Sequence, residues 1–180
     1  MRKLFLLLCF TGLQPFVSAQ ENQLRFDKEY YECENKYVLL PKMEKDTTYM
    51  LGVVYLDVMA GFSFNVEGRV DVDKSSKFTL INTLPQSRII HRIDGDFPKM
   101  AIVPDAKVAQ MGLPKEPDWL NIYREGENEV EGQVKRGYHF NHIGGSLQAI
   151  PILIKAYAKD PHARALNLNL PMLTTQQSSL

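Results

Sequence analysis

Histidines and carboxylates are the residues of this chain whose types and spacing could do chemistry. His139 and His142 stand three residues apart, which on a helix brings both rings to one side, near enough to share a metal ion. His91 or His162 would have to supply a third ligand, and nothing in the sequence places either beside that pair. Exposed histidines near a helix end are far commoner than metal ligands, so we predict no metal site.

A hydrolase-type active site is the catalytic alternative. It would combine His91 with carboxylates of the same part of the chain, residues 20–104. The candidates are Asp57, Asp71 and Asp94. The recognisable signatures of catalysis are missing from the sequence: it has no Gly-x-Ser-x-Gly elbow, no phosphate-binding glycine loop, no His-Glu-x-x-His and no paired-cysteine spacing. We therefore predict no catalytic residue and no cofactor.

The composition is that of an ordinary globular protein. The chain has 180 residues, 44% of them hydrophobic, and its 21 basic residues balance 21 acidic ones. Binding to nucleic acid needs an excess of basic residues that neutralises phosphates. The charge balance therefore argues against a nucleic-acid partner.

Residues 1–19 have the form of a secretory signal peptide. Arg2 and Lys3 precede a short apolar run, and small residues surround the expected cleavage site after Ala19. The run is far shorter than the roughly 20 residues that span a bilayer, so we expect export to the periplasm or the exterior and no stable membrane insertion after cleavage. Cys33 would then be the one remaining thiol, and we expect it to be buried and inert.

Residues 20–104 are predicted to form a β-rich domain of five to seven antiparallel strands. Apolar residues there come in short runs or alternate with polar ones, as at Phe62, Phe64 and Val66, which puts one face of a sheet in a core. Met59-Ala60-Gly61 is a candidate hairpin turn. No helical stretch separates the runs, as a parallel sheet would require. With the helices that follow, the predicted fold class is α+β.

Short helices and a linker are expected over residues 105–126. Asp105 is expected to cap a helix that ends before Gly112, and Pro117 to open a second one. Trp119, the only tryptophan, is interpreted as a packing residue rather than as a binding platform.

A helical hairpin is predicted over residues 127–163. Apolar residues recur at helical spacing in two stretches, about 127–142 and about 147–159. Between them, Gly144-Gly145-Ser146 can supply a left-handed turn and the cap of the second helix. The segment therefore indicates two antiparallel helices joined by a tight turn.

Seven small, aromatic and apolar positions of this hairpin match the spacing of a known repeat. They are Gly137, Phe140, Gly144, Ala149, Leu153, Ala156 and Pro161. Residues 130–166 thus resemble one tetratricopeptide repeat of an exported bacterial protein. The resemblance implies a close helix crossing at Gly137 and Ala149. The chain departs from the family at Lys135-Arg136, ahead of the first glycine, where the family favours Trp and Leu.

The resemblance implies a protein–protein interaction scaffold with no catalytic activity of its own. Single repeats of this kind bury a core only by stacking on a neighbour. The second helix must therefore be covered by the β-rich domain, by another copy of the chain or by a further repeat. A binding face for a protein or peptide partner is expected there, and self-association through it stays open. The candidate residues of this exposed apolar face are Ile150, Leu153, Ala156 and Tyr157.

Residues 164–180 are predicted to be an irregular tail. Apolar and polar residues alternate from Leu166 onward, and Pro171 interrupts them. Under one permitted choice of codons, restoring a single base after the codon of Leu166 converts the next stretch into an amphipathic helix. This leads to the hypothesis that residues 167–180 are the frameshifted remnant of a second repeat. The hypothesis is wrong if the shifted reading frame in the DNA encodes no helical repeats.

Overall fold

A computed structural model of the chain describes residues 24–83, 89–93 and 95–166. Within them, six strands form one antiparallel sheet, and helices follow it along the chain. This confirms the predicted α+β class and the antiparallel, β-rich N-terminal part, with a strand number inside the expected range. The predicted signal peptide and residues 167–180 lie outside the described residues.

The sheet is built around one long strand. The described strands are β1 (Lys36–Leu40), β2 (Tyr49–Asp57), β3 (Gly61–Val72), β4 (Phe78–Thr83), β5 (Ile89–Arg92) and β6 (Ala101–Ile102). Their order is β4-β3-β2-β1-β6, and β5 also pairs with β3. Along one edge β3 therefore has two partners, because residues 63–66 pair with β5 and residues 68–72 pair with β4.

The turn between β2 and β3 forms at the predicted place. A side-chain oxygen of Asp57 accepts the backbone N–H of Met59 at 2.9 Å, and its backbone carbonyl accepts the N–H of Ala60 at 3.0 Å. Gly61 then has a φ of +88°, a left-handed conformation that glycine adopts without a steric penalty.

Close packing between β2 and β3 depends on Gly52. The pairing register shifts between Leu51 and Gly52, and the ring of Phe64 lies against the Gly52 Cα. A Cβ atom placed on Gly52 would lie 2.5 Å from Cε2 of Phe64 and 2.5 Å from the backbone oxygen of Asn65. No side chain fits at this position of the strand.

Four α-helices follow the last strand in the described residues. They are α1 (Asp105–Gln110), α2 (Asn121–Arg124), α3 (Val130–His142) and α4 (Ser146–Lys159). Short 3-10 helices precede β1 at Tyr30–Glu32 and α2 at Asp118–Leu120. No helix of the described residues is long and apolar enough to cross a membrane.

Two predicted helix caps are wrong. Asp105 and Ser146 are the first residues of α1 and α4, and the cap positions belong to Pro104 and Gly145, neither of which makes a side-chain capping bond. The start of α3 also differs from the prediction, because residues 127–129 form a turn after Gly126, whose φ is +72°.

Helices cover both faces of the sheet. One hydrophobic cluster joins the sheet to α3 and α4 and includes Phe62, Phe64, Phe140 and Leu153. The other joins the sheet to α1 and the 3-10 helix before α2, and it includes Leu39, Val53, Val108 and Leu120. The alternation in β3 predicted one core face, yet Ser63 and Asn65 on the opposite face are buried as well.

Trp119 packs against the sheet, as the sequence predicted. Its ring meets that of Tyr55 edge-on with 5.2 Å between centroids, and its Nε1–H donates to Oε1 of Glu67 at 3.1 Å. Tyr123 adds a second ring, 4.4 Å from Tyr55. These rings help to cover the second face of the sheet.

Candidate functional site

The candidate binding surface is an apolar strip on the outside of α4. The strip consists of Leu147, Ile150, Pro151, Ile154 and Tyr157, which we call the α4 face. Leu147 is 78% exposed, Ile154 58% and Tyr157 48%. Because successive residues of a helix are separated by about 100°, all five lie within a sector of about 120°. No charged residue of α4 falls inside that sector.

The α4 face is unusual for a surface helix. Such a helix normally turns one apolar stripe to the core and charged residues to water. Between residues 146 and 159 the only charged side chains are Lys155 and Lys159, and α4 contains neither Asp nor Glu. Contiguous exposed apolar patches of this kind mark interaction surfaces in soluble proteins.

The opposite side of α4 is fully buried, which corrects part of the sequence prediction. Leu153 and Ala156 were expected on the exposed face but have no exposed surface. They face inward because α3 offers space there: a Cβ atom on Gly137 would lie only 2.5 Å from Cγ of Leu153. Ile150 is half-buried and Tyr157 exposed, so these two members of the predicted face belong to the α4 face.

The seven residues that carry the repeat resemblance have two locations. Gly137, Phe140, Ala149, Leu153 and Ala156 are buried. The other two lie in turns: Gly144 has a φ of +84° between the helices, and Pro161 follows the end of α4 at an exposed position. The hairpin is therefore closely packed around Gly137.

Helix α3 attaches the hairpin to the sheet. Its Arg136 forms an ion pair with Glu34 with an N–O distance of 2.9 Å. The ring of Phe140 meets Phe62 of β3 edge-on with 5.2 Å between centroids. Since the same helix contacts Leu153 through Gly137, α3 supports α4 from the sheet side and leaves the α4 face outward.

The histidines are not arranged as metal ligands. His139 Nε2 lies 3.1 Å from the carbonyl oxygen of Val58, and the ring of His142 stacks on Tyr138 with 5.8 Å between centroids. Among the described residues, no three His, Cys, Asp or Glu side chains are grouped so as to hold a metal ion.

Two residues of the catalytic alternative, His91 and Asp71, lie far apart. His91 pairs with Phe64 in β3, whereas Asp71 lies seven residues farther along that strand, roughly 23 Å away at about 3.3 Å per residue. Asp57 is paired with Arg92, with an N–O distance of 3.4 Å. Asp94 lies outside the described residues.

A partly buried polar cluster beside β5 was not predicted from the sequence. Nη1 of Arg92 donates to the hydroxyl oxygen of Ser63 at 2.5 Å, and Ser63 has no exposed surface. Burial, followed by a hydrogen bond with Tyr123, raises the pKa of Tyr55 to about 12. The Tyr55 phenol therefore stays protonated at neutral pH. Ordinary alternation along β3 gave no sign that these polar groups would meet.

Comparisons with protein-family models, with curated proteins and with solved structures found no significant match to this chain. The two structural features of the chain that bear most on its function are the hairpin packed around Gly137 and the exposed α4 face.

Proposed function

We propose that the chain is an exported, non-catalytic interaction module whose α4 face binds a protein partner. In this proposal the hairpin of α3 and α4 acts as a unit similar to a tetratricopeptide repeat. The exposure of Leu147, Ile154 and Tyr157 carries the proposal. Burying each of them against a partner would stabilise a complex by about 1–2 kcal/mol, because apolar surface would leave water.

The partner that this face fits best is an amphipathic helix with acidic residues beside its apolar stripe. Leu147, Ile150, Ile154 and Tyr157 are separated by three, four and three residues, the spacing at which one helix packs along another. Lys155 is exposed on α4 next to the face, and no acidic side chain of α4 opposes it. Carboxylates on the partner would therefore lie beside the positive charge of Lys155, which speeds association and fixes the orientation of the partner helix.

Site-specific photo-crosslinking in the cells that make the protein tests the proposal. A photoreactive benzoylphenylalanine replaces Tyr157, and a matched control carries it in place of exposed Ala109 on α1. We expect position 157 to form a discrete adduct whose cross-linked peptide, identified by mass spectrometry, is an amphipathic acidic helix. We expect no such adduct from position 109.

Blocking substitutions distinguish a specific contact from accidental labelling. Leu147→Glu and Ile154→Glu, each combined with the crosslinker at Tyr157, should abolish the adduct because a carboxylate would be buried in an apolar contact. Lys155→Glu should weaken it by reversing the flanking charge. Equal labelling from positions 157 and 109, or an adduct that survives both glutamate substitutions, would rule out the proposed interface.

A further inference from the structure

A cavity that includes no residue of the α4 face lies at the C-terminal end of α3. It is a cleft of about 630 Å³ between the turn at Ala60-Gly61, the 3-10 helix Tyr30–Glu32 and the C-terminal end of α3. Clefts of roughly 300–1,000 Å³ are the usual size for small-molecule sites. The volume is therefore suitable for a ligand of one or two rings.

Aromatic and aliphatic side chains form about half of the cleft wall. The apolar residues that line it are Tyr30, Tyr31, Phe62, Ile93 and Ile143. Tyr30 meets Phe62 edge-on with 5.5 Å between ring centroids, and Phe62 is 3% exposed. Because these rings are fixed by contacts with one another, the wall is already formed without a ligand. Flat apolar molecules bind such walls by edge and face contacts.

An imidazole nitrogen of His139 that can accept a hydrogen bond lies at the edge of the cleft, beside Gly61. Nε2 of His139 lies 3.1 Å from the carbonyl oxygen of Val58, and since a carbonyl only accepts, Nε2 carries the hydrogen. In the neutral ring the other nitrogen, Nδ1, is then an acceptor. No donor for Nδ1 occurs among the described residues, and Nδ1 would lie 3.8 Å from a Cβ atom placed on Gly61, a lining residue.

The charge at the cleft disfavours an anionic ligand. Glu29 is the only Asp, Glu, Lys or Arg among the described residues that line it, and Lys99 is paired with Glu29 at 3.0 Å. Burial, and then the charges of Glu29 and Glu32, raise the pKa of the Tyr31 phenol. Glu29 and Glu32 would repel a carboxylate or phosphate ligand in the same way, and Lys99 offsets only part of that repulsion.

We propose that this cleft binds a small aromatic molecule without negative charge that donates an N–H or O–H to Nδ1 of His139. The site is separate from the α4 face and goes beyond the proposed interaction function. Its ligand would be recognised by one hydrogen bond and by ring contacts with Tyr30, Phe62 and Ile93.

Three probes of nearly the same shape test the proposal on the purified full-length chain. Indole has the ring and the N–H, 1-methylindole lacks the donor, and indole-3-acetate adds a negative charge. Affinities are measured by ligand-observed NMR titration. We expect indole to bind at least about tenfold more tightly than the other two, because an acceptor left without its donor costs affinity. Equal binding of indole and 1-methylindole, or no binding of indole at all, would overturn the proposal.

Two variants locate the binding site. Ala60 is exposed and lines the cleft, so Ala60→Trp should fill the cleft and weaken the affinity for indole at least about tenfold. Met59 is its exposed neighbour but does not line the cleft, so Met59→Ala should leave the affinity unchanged. His139→Phe keeps a ring but removes the acceptor, so it should bind indole and 1-methylindole equally. If His139→Phe does not fold, Ala60→Trp decides alone: unchanged indole affinity in that variant refutes the site. Ile154→Glu on the α4 face should not alter indole binding, so failure of the interface leaves this test intact.

Discussion

Arg136 of α3 and Glu34, which lies just ahead of β1, are joined by two contacts across 102 residues of sequence. Nη2 of Arg136 donates to Oε2 of Glu34 at 2.9 Å, and Nη1 lies 2.9 Å from Oε1. The side chains are only 14% and 16% exposed. The first contact is a charge-assisted hydrogen bond, the stronger class of hydrogen bond, and the second is an ion-pair contact. Together they fix the hairpin to the sheet.

Changing Arg136 should therefore destabilise the fold. Arg136→Lys keeps the charge but cannot form both contacts, so we expect the free energy of unfolding to fall by about 1–2 kcal/mol. Arg136→Met leaves the Glu34 carboxylate without its partner and should cost about 3 kcal/mol. Urea unfolding followed by circular dichroism measures both. Lys135→Met, which breaks an exposed pair with Glu131, is the control and should change stability little; equal losses in Arg136→Met and Lys135→Met would contradict this account.

Neighbouring residues of α4 should respond very differently to truncation. Leu153 has no exposed surface, so Leu153→Ala should lower the free energy of unfolding by about 2–5 kcal/mol through lost burial and a residual cavity. Ile154 is 58% exposed, and Ile154→Ala should stay within about 0.5 kcal/mol of the parent. Similar losses at both positions, measured by the same urea titration, would show that α4 is rotated from the orientation described here.

The contact between Gly137 and Leu153 predicts that Gly137→Ala lowers the stability of the parent but not that of a Leu153→Ala variant. In a helix, alanine is favoured over glycine by about 1 kcal/mol, yet the added methyl of Gly137→Ala would collide with Leu153, whose Cγ lies 2.5 Å from its position. We therefore expect Gly137→Ala to destabilise the parent by about 1–3 kcal/mol. In a Leu153→Ala background the collision is gone, and the same substitution should become neutral or stabilising. A double-mutant cycle measures this coupling; additive effects would mean that the two residues do not touch.

Cys33 should make the protein sensitive to alkali. Its side chain is fully buried, and desolvation raises the thiol pKa from 9.0 to about 12. The folded state therefore holds its proton at pH values where the unfolded thiol has lost it. The resulting stabilisation is complete below about pH 9 and is lost as the pH rises toward about 12. The slope is about 1.4 kcal/mol per pH unit for one such group.

Unfolding titrations between pH 8 and pH 10 test this linkage, with Cys33→Ala as the comparison. The parent should lose stability from about pH 9, whereas the variant, less stable at pH 7, should show a flatter profile until tyrosines ionise. Parallel profiles for the two proteins would exclude Cys33 as the cause. Thiol labelling supplies a second measurement: Cys33 should react only after unfolding, and Ala109→Cys at an exposed site should react at once.

The strands were predictable because their signals are local. Alternating apolar residues in β3 and the turn at Met59-Ala60-Gly61 depend on neighbours within a few positions. Helix ends were less well predicted, since Pro104 and Gly145 bring the chain into α1 and α4 without the side-chain caps that Asp105 and Ser146 suggested.

The orientation of α4 and the cleft were not predictable for a different reason. Apolar residues surround most of α4, so its periodicity could not decide whether Leu153 or Ile154 faces α3; the space beside Gly137 decides it. The cleft combines Tyr30, Phe62 and His139, which lie at least 30 residues apart in sequence. Only the tertiary structure brings them together, and no short motif could have indicated their meeting.

The Phe64 ring that lies against Gly52 predicts which residue related proteins should have at position 52. Related proteins that keep this sheet should keep glycine at position 52, because even alanine would displace the ring or the neighbouring backbone. An orthologue with a different residue at position 52 would need both a smaller residue at position 64 and a displaced backbone at Asn65. A glycine kept at position 52 would therefore mark the proteins that retain this sheet.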